Sequence, residues 1–246
     1  MKALFVGDIH NHMYIFDDIN RLDNEYNFDK IIFVGDYVDD WNTSNIESIE
    51  CLRKLIKLKQ SNYRKYILLL GNHELSYLGY PCSGHDYTND TEIKNILTDN
   101  IDLFKFYIVI HLGNKDFVCS HAGFVNDYLV NVFQPNNTDW QETLKNLNTD
   151  MLNKLNLLTY CSFHRGGKYP FSSFVWTDAR ELIHNREELL LPNQIVGHSP
   201  VKTIKYITSD TNNLYFIDTH STYRNGEPYG DKSYLIWNTD KFEIVK

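Results

Sequence analysis

The sequence predicts an α/β fold built as two packed mixed sheets flanked by helices. Three apolar runs carry much of that expectation: residues 3–6, 31–34 and 66–70, each ending at a Gly-Asp or Gly-Asn pair. Apolar at every position, they suit strands buried on both faces of a parallel sheet. Between them, Ile15, Phe16, Ile19 and Leu22, then Ile49, Leu52, Leu55 and Ile56, recur at helical spacing. Strand-helix-strand-helix-strand is an α/β unit with right-handed crossovers. The third observation is a strand-rich C-terminal part.

The remaining elements follow in order. Ile93, Ile96 and Leu97 predict a short helix. Residues 106–112 and 116–120 predict a hairpin about Gly113-Asn114. Residues 126–158 read as mainly helical, with Leu144, Leu147, Met151, Leu155 and Leu158 roughly in phase. Residues 161–173 read as a loop. Strands are expected at 194–196, 203–208, 214–218, 233–237 and 242–245.

No Pro/Gly/Ser-rich linker divides the 246 residues, so one domain over 1–246 is expected. No apolar run approaches the ~20 residues that cross a bilayer, and no membrane association is expected. Met1 to Leu4 leads into a strand and does not read as a signal peptide. The net charge of -8 argues against a general nucleic-acid surface. It leaves room for a phosphorylated small-molecule, nucleotide or protein substrate, because bound dications reverse a local field. The four cysteines show no CxxC pair and read as reduced thiols, hence a cytoplasmic location, the host's if the chain is viral.

The chemistry lies in five short segments: Gly7-Asp8-Ile9-His10, Gly35-Asp36-Tyr37-Val38-Asp39, Gly71-Asn72-His73-Glu74, Ser120-His121-Ala122-Gly123 and Gly197-His198-Ser199-Pro200. The first three follow the apolar runs, and ligand sites in open α/β sheets gather beyond the carboxyl ends of strands. The glycine before each ligand is expected to let the backbone turn sharply there. Together the segments supply the oxygen and nitrogen ligands of a two-metal hydrolytic site. Asp36 has two oxygens and can bridge two ions. Mixed N/O ligands without thiolate favour Mn, Fe, Zn or Co over Ca or Cu(I). Mn is the first expectation, with Fe, Zn and Co as alternatives.

These segments, in this order, resemble the calcineurin-like metallophosphoesterases, and within them the phosphoprotein phosphatase branch of lambda-phosphatase and diadenosine tetraphosphate hydrolase type. The resemblance runs from residue 4 to about residue 220. It implies a four-layer α/β/β/α sandwich with the metals at one edge. It also implies that Asp8, His10 and Asp36 hold one metal, and Asp36, Asn72, His121 and His198 the other. A hydroxide shared by the metals is the implied nucleophile, with no covalent intermediate. His73 is the implied general acid and Asp39 its orienter. Glu74 is expected to order its loop.

The chain also departs from that family. Its Gly-Asp-x-Val-Asp-Arg-Gly reads Gly35-Asp36-Tyr37-Val38-Asp39-Asp40-Trp41 here, so the arginine that clamps phosphate is an aspartate. Arg180, in a segment that resembles the family's Trp-x-x-x-Arg region, is the first substitute. Arg165 and Lys168 are alternatives. His220, where the family has glycine, is a candidate to face substrate. His12 could reach the rim of the site, and Tyr77, Tyr80 and Tyr87 could form an aromatic rim, although packing or surface roles suit all four as well.

The expected function is metal-dependent hydrolysis of phosphate monoesters of the Ser/Thr phosphatase type. The alternatives are hydrolysis of a nucleotide, a dinucleoside polyphosphate or a nucleic-acid-end phosphate, and, in another class, a metal-binding interaction scaffold without turnover.

Overall fold

In the computed structural model the three apolar runs form β1 (Lys2–Val6), β2 (Lys30–Phe33) and β3 (Tyr66–Leu69). The structure describes residues 1–41, 43–81, 91–133, 144, 151–184 and 186–246. α1 (Tyr14–Tyr26) and α2 (Asn45–Ser61) link the three strands. α2 starts at a capping box in which the Ser44 amide donates to Glu47 Oε2 at 2.7 Å. β1, β2 and β3 pair in parallel, and the short β4 (Phe104–Lys105) continues the parallel set. Between β3 and β4 lie α3 (Asn72–Tyr77) and α4 (Thr91–Asp99).

β5 (Tyr107–Leu112) and β6 (Lys115–Ser120) form the predicted hairpin. With β7 (Asn193–Val196), β8 (Lys205–Thr208) and β9 (Asn213–Phe216) they make a second sheet, in the order β5-β6-β7-β9-β8. β6, β7 and β9 are parallel, with antiparallel strands at both edges. β10 (Tyr234–Asn238) and β11 (Lys241–Val245) return to the first sheet, whose order is β11-β10-β1-β2-β3-β4. Both sheets are therefore mixed, as expected.

The apolar runs serve two layers because successive side chains of a strand point to opposite faces. Leu4 and Val6 share an apolar cluster with Ile15, Phe16 and Ile19 of α1 and with Leu52 and Leu55 of α2. Ala3 and Phe5 join a different cluster, with Phe117, Cys119, Ile195 and Tyr215 of the second sheet. Fully burying one such large side chain contributes about 1.5–3 kcal/mol. Both sheets are thus held to each other and to their helices by the same short strands. No helix among the described residues is long and apolar enough to cross a membrane.

The helical expectation for 126–158 holds over its described residues, but the type of helix varies. There the backbone is a helical turn at Asn126–Tyr128, a π turn at Leu129–Phe133, α-helical at Leu144 and a 3-10 stretch at Met151–Thr159, broken at Lys154. Residues 134–143 and 145–150 lie outside the described residues, and Leu147 with them. Buried Leu155 and Leu158 are three apart, which is one full turn of a 3-10 helix and nearly one turn of an α-helix. Their spacing fits both.

The glycines before the ligands act differently from the expectation. Gly35 does adopt a positive φ of 115°. Elsewhere the ligands themselves turn left-handed: His10 at φ 44°, Asp36 at 51° and His198 at 62°. Such backbone costs about 1–3 kcal/mol per non-glycine residue and persists only where its surroundings hold it. Gly71 and Gly197 instead make room. A Cβ on Gly71 would overlap Asp36 Oδ1, and one on Gly197 would overlap Asp8 Oδ1. Gly71→Ala is expected to destabilise the fold by about 1–3 kcal/mol, the usual cost of overpacking, and to weaken divalent-ion binding. Denaturant melts and ion titration check this, and an unchanged midpoint with unchanged ion affinity would contradict it.

Candidate active site

The parallel strands of both sheets stop at one end of the molecule, just before the five segments. β1 leads to Asp8 and His10, β2 to Asp36 and Asp39, and α3 begins on Asn72 and His73. β6 leads to His121, β7 to His198 and β9 to Asp218. Asp8, His10, Asp36, Asp39, Asn72, His73 and His198 line one cavity of about 540 Å³. His121 lies beneath them, fully buried.

Hydrogen bonds decide which imidazole nitrogens can bind a metal. His121 Nδ1 is 2.9 Å from the Val34 carbonyl oxygen, which can only accept. Nδ1 therefore carries a proton, and Nε2 is the nitrogen left to face a metal. That Nε2 lies 2.9 Å from Asn72 Oδ1, 3.1 Å from His198 Nδ1 and 3.3 Å from Asp36 Oδ2. His10 is fixed in the same way, with Nδ1 donating to the Asp39 carbonyl at 2.7 Å and Nε2 facing Asp8 Oδ2 at 3.9 Å.

Among the described residues, two sets of possible ligand atoms converge within 4.8 Å: Asp36 with His121 and His198, and Asp36 with His10 and His73. Asp36 belongs to both, as a bridging carboxylate would. The second set contains His73 where the sequence suggested Asp8. Both Asp8 oxygens accept from the His198 amide at 3.0 Å.

The charge balance asks for cations. Burial, then the neighbouring Asp218 and Asp36, push the Asp8 carboxyl well above its ordinary pKa. Burial also acts to raise Asp36, but the neighbouring His121 and His73 rings hold it well below its ordinary value. Burial, then Arg165 and His121, hold His198 well below the usual imidazole range, so it is neutral, the form that ligates metals. Imidazole nitrogens, an amide oxygen and crowded carboxylates together fit divalent ions.

Glu74 orders the loops, as expected. Its buried carboxylate accepts from the amides of Asp36 at 3.0 Å, Tyr37 at 2.7 Å and Gly71 at 2.9 Å. His73 sits on the rim of this arrangement. Its Nδ1 donates to Asp39 Oδ2 at 3.0 Å, and its Nε2 is 3.8 Å from Asp36 Oδ2. The other oxygen of Asp39 accepts from the Tyr77 hydroxyl at 2.7 Å. Tyr77 is therefore a buried support of Asp39 and not part of a rim. The signal available in sequence was its position four residues after His73 on one helix, which puts both on one face.

The arginines divide differently from the expectation. Arg165 lines the cavity. Its Nη2 donates to Ser199 Oγ at 2.7 Å and to the His198 carbonyl at 3.2 Å, and its Nε lies 2.9 Å from Asp178 Oδ2. Arg180, the first candidate, instead lines a separate cavity with His164, Phe171 and Glu181, and donates to Asp178 Oδ1 from Nε at 2.7 Å. Both arginines grip Asp178 from different sides, and only Arg165 reaches the cavity of the ligands. Lys168 lies over the Tyr169 ring.

His220 does not line the cavity either. It is buried, packed on Tyr234, with Nδ1 3.2 Å from the Tyr14 hydroxyl, and burial lowers its pKa to about 3. The next two residues, Ser221 and Thr222, line the cavity in its place. His12 Nε2 lies 3.5 Å from Asp40 Oδ2. Tyr80 is half-buried against the core, and Tyr87 lies outside the described residues. Asp218, which sequence reasoning assigned no role, is buried beside Asp8 and accepts from the Ser221 hydroxyl at 2.8 Å.

Burial works against the His73 imidazolium, but the Asp36 charge and the bond to Asp39 outweigh it and raise its pKa to about 9. The ring is therefore protonated at neutral pH and loses its proton as pH rises through about 9. In the metal-free protein an NMR titration of the His73 ring is expected to give that value, and Asp39→Asn to lower it toward the usual ~6.5. A parent His73 that already titrates near ~6.5 would contradict this geometry.

Residues 1–202 match the family described as calcineurin-like phosphoesterase. Among solved structures, a cold-active protein-tyrosine phosphatase of a psychrophilic Shewanella species is 15% identical, with a TM-score of 0.52, covering 100% of this chain and 80% of that one. Another structure of a cold-active protein tyrosine phosphatase is 16% identical, with a TM-score of 0.51, covering 100% of this chain and 78% of that one. At such identity the likeness bears on the fold alone. The match spans all five candidate ligand-bearing segments in full, and the chain belongs to the calcineurin-like phosphoesterase family.

Proposed function

We propose that this protein is a dinuclear metal-dependent phosphatase that hydrolyses phosphate monoesters without a covalent intermediate, with Mn as the first-choice ion. The observation that carries this reading is the line Tyr77–Asp39–His73, aimed at Asp36 where the two possible ligand sets meet.

Asp8, His10 and Asp36 would hold one ion, and Asp36, Asn72, His121 and His198 the other. When bound, such ions supply Lewis acidity toward phosphoryl oxygens and a water acidic enough to attack phosphorus. The protein's own residues do the rest. His73 keeps its Nδ1 proton on Asp39 and delivers the Nε2 proton to the departing ester oxygen. Asp39, fixed by Tyr77, keeps the ring charged and oriented. Arg165 takes the part of the family's clamp arginine. Its Nε and Nη2 are engaged with Asp178, His198 and Ser199, and Nη1 is the group that would meet a phosphate oxygen.

The substrate is accordingly a phosphorylated small molecule, nucleotide or protein. The described cysteines, Cys51, Cys119 and Cys161, are buried, and reduced thiols there suit a cytoplasmic location.

Para-nitrophenyl phosphate hydrolysis in Mn²⁺ is expected for the parent, with loss in chelator. His73→Ala is expected to lower kcat by about 10²–10⁴-fold, the usual worth of a positioned acid, while divalent ions still bind. Faster cleavage of bis-para-nitrophenyl phosphate would move the assignment to a phosphodiesterase. No turnover of either ester, with ions bound, would leave the interaction scaffold.

A further inference from the structure

The acidic proton of His73 marks the side of the cavity from which a leaving group departs, and Trp41 stands on that side. Asp39, which holds the His73 ring, is two residues before Trp41, so the two Cα atoms are at most about 7 Å apart. Trp41 lines the ligand cavity and is 49% exposed. Among the described lining residues it is the one large apolar side chain left exposed. The other tryptophan of the lining, Trp176, is buried and packed edge-on against the His198 ring.

Asp40, which stands where the family resemblance expects the clamp arginine, fixes Trp41 in this place. Its Oδ1 accepts from the Trp41 amide at 2.7 Å and from the Thr222 hydroxyl at 2.6 Å. Thr222 also lines the cavity, and it bridges to Pro228 in a small hairpin. From that hairpin Arg224 packs on the Trp41 ring, its guanidinium carbon 5.0 Å from the ring centre. The tryptophan is thus held at its backbone by Asp40 and on its ring by the hairpin. The cavity of about 540 Å³ falls in the range, about 300–1,000 Å³, that takes a whole small molecule and not a phosphoryl group alone. A flat aromatic group suits the indole best, because aromatic pairs gain more than the apolar area they bury.

We infer that Trp41 is the specificity-determining wall of a leaving-group subsite for phosphate esters of aromatic alcohols. The ring of the alcohol packs on the indole while the P–O bond to its oxygen breaks. The bonding pair stays on that oxygen, which takes the His73 Nε2 proton, and water supplies the new oxygen on phosphorus. This inference rests on the phosphoesterase reading.

The test compares phenyl phosphate with 2-naphthyl phosphate, whose leaving groups are of similar acidity and different ring area. It uses the Mn-loaded parent, Trp41→Ala, Trp41→Phe and the control Tyr63→Ala, an exposed ring just beyond the far end of α2. The parent is expected to prefer the naphthyl ester through KM. Trp41→Ala is expected to reduce that preference about fivefold, the usual worth of one aromatic pair. Phenylalanine is expected to restore part of it, and Tyr63→Ala to leave the ratio as in the parent. An equal preference in parent and Trp41→Ala, or a loss that falls on kcat for both esters alike, would overturn the inference. Should the parent cleave neither ester, the phosphoesterase reading alone would fall. Calorimetric titration of the Mn-loaded protein with phenylphosphonate and cyclohexylphosphonate then reads the subsite as binding. Tighter binding of the aromatic ligand that depends on Trp41 upholds the inference, and equal affinities overturn it.

Discussion

Four buried carboxyl groups crowd one end of the two sheets, and the local structure follows from how each is compensated. Asp8, Asp36, Glu74 and Asp218 are each at most 2% exposed. A buried charge left unpaired costs several kcal/mol. Glu74 is met by three backbone amides, Asp218 by the Ser221 hydroxyl, and Asp8 by the His198 amide. Asp36 is met by the His73 amide and by the His121 and His73 rings. The Glu74 and Asp8 contacts draw the β1, β2, β3 and β7 ends together, and Gly71 and Gly197 are the places where no side chain fits between them. The left-handed backbone at Asp36 and His198 is sustained by the same contacts.

This arrangement leaves more carboxylate than protein cation at the centre. Asp8 shows it most clearly, since its neighbours Asp218 and Asp36 add to burial in raising its pKa. A pair of dications would offset that excess and at the same time serve the proposed hydrolysis. His73, by contrast, is charged through its own carboxylate partners. One acidic pocket thus favours bound metal at its floor and a proton on the imidazole at its rim.

Much of the fold, and the convergence of the candidate ligands, was legible because both are written over short stretches. An apolar run and the ligand that ends it are neighbours in sequence, and the same strand that packs the core aims the ligand. The features that were not legible depend on distant partners or on side-chain direction. Arg165 and Arg180 flank the same Asp178, and only the path of the chain decides which one faces the cavity. Asp40 reads in sequence as the loss of a clamp arginine, and its partner Thr222 is 182 residues away. His220 looked like a replacement at a substrate-facing position, yet burial against Tyr234 and Tyr14 removes it from the cavity. Tyr77 could have been found from its helical spacing to His73, but the acceptor it serves, Asp39, lies 38 residues earlier.

The central claim is that Asp36 is shared by two metal ions. Elemental analysis of the Mn-loaded protein, for the parent and for Asp36→Ala, tests it most directly. Two ions per chain in the parent, with both losing affinity in the variant, is the predicted result. A single ion in the parent, or a variant that still holds two, would contradict the account.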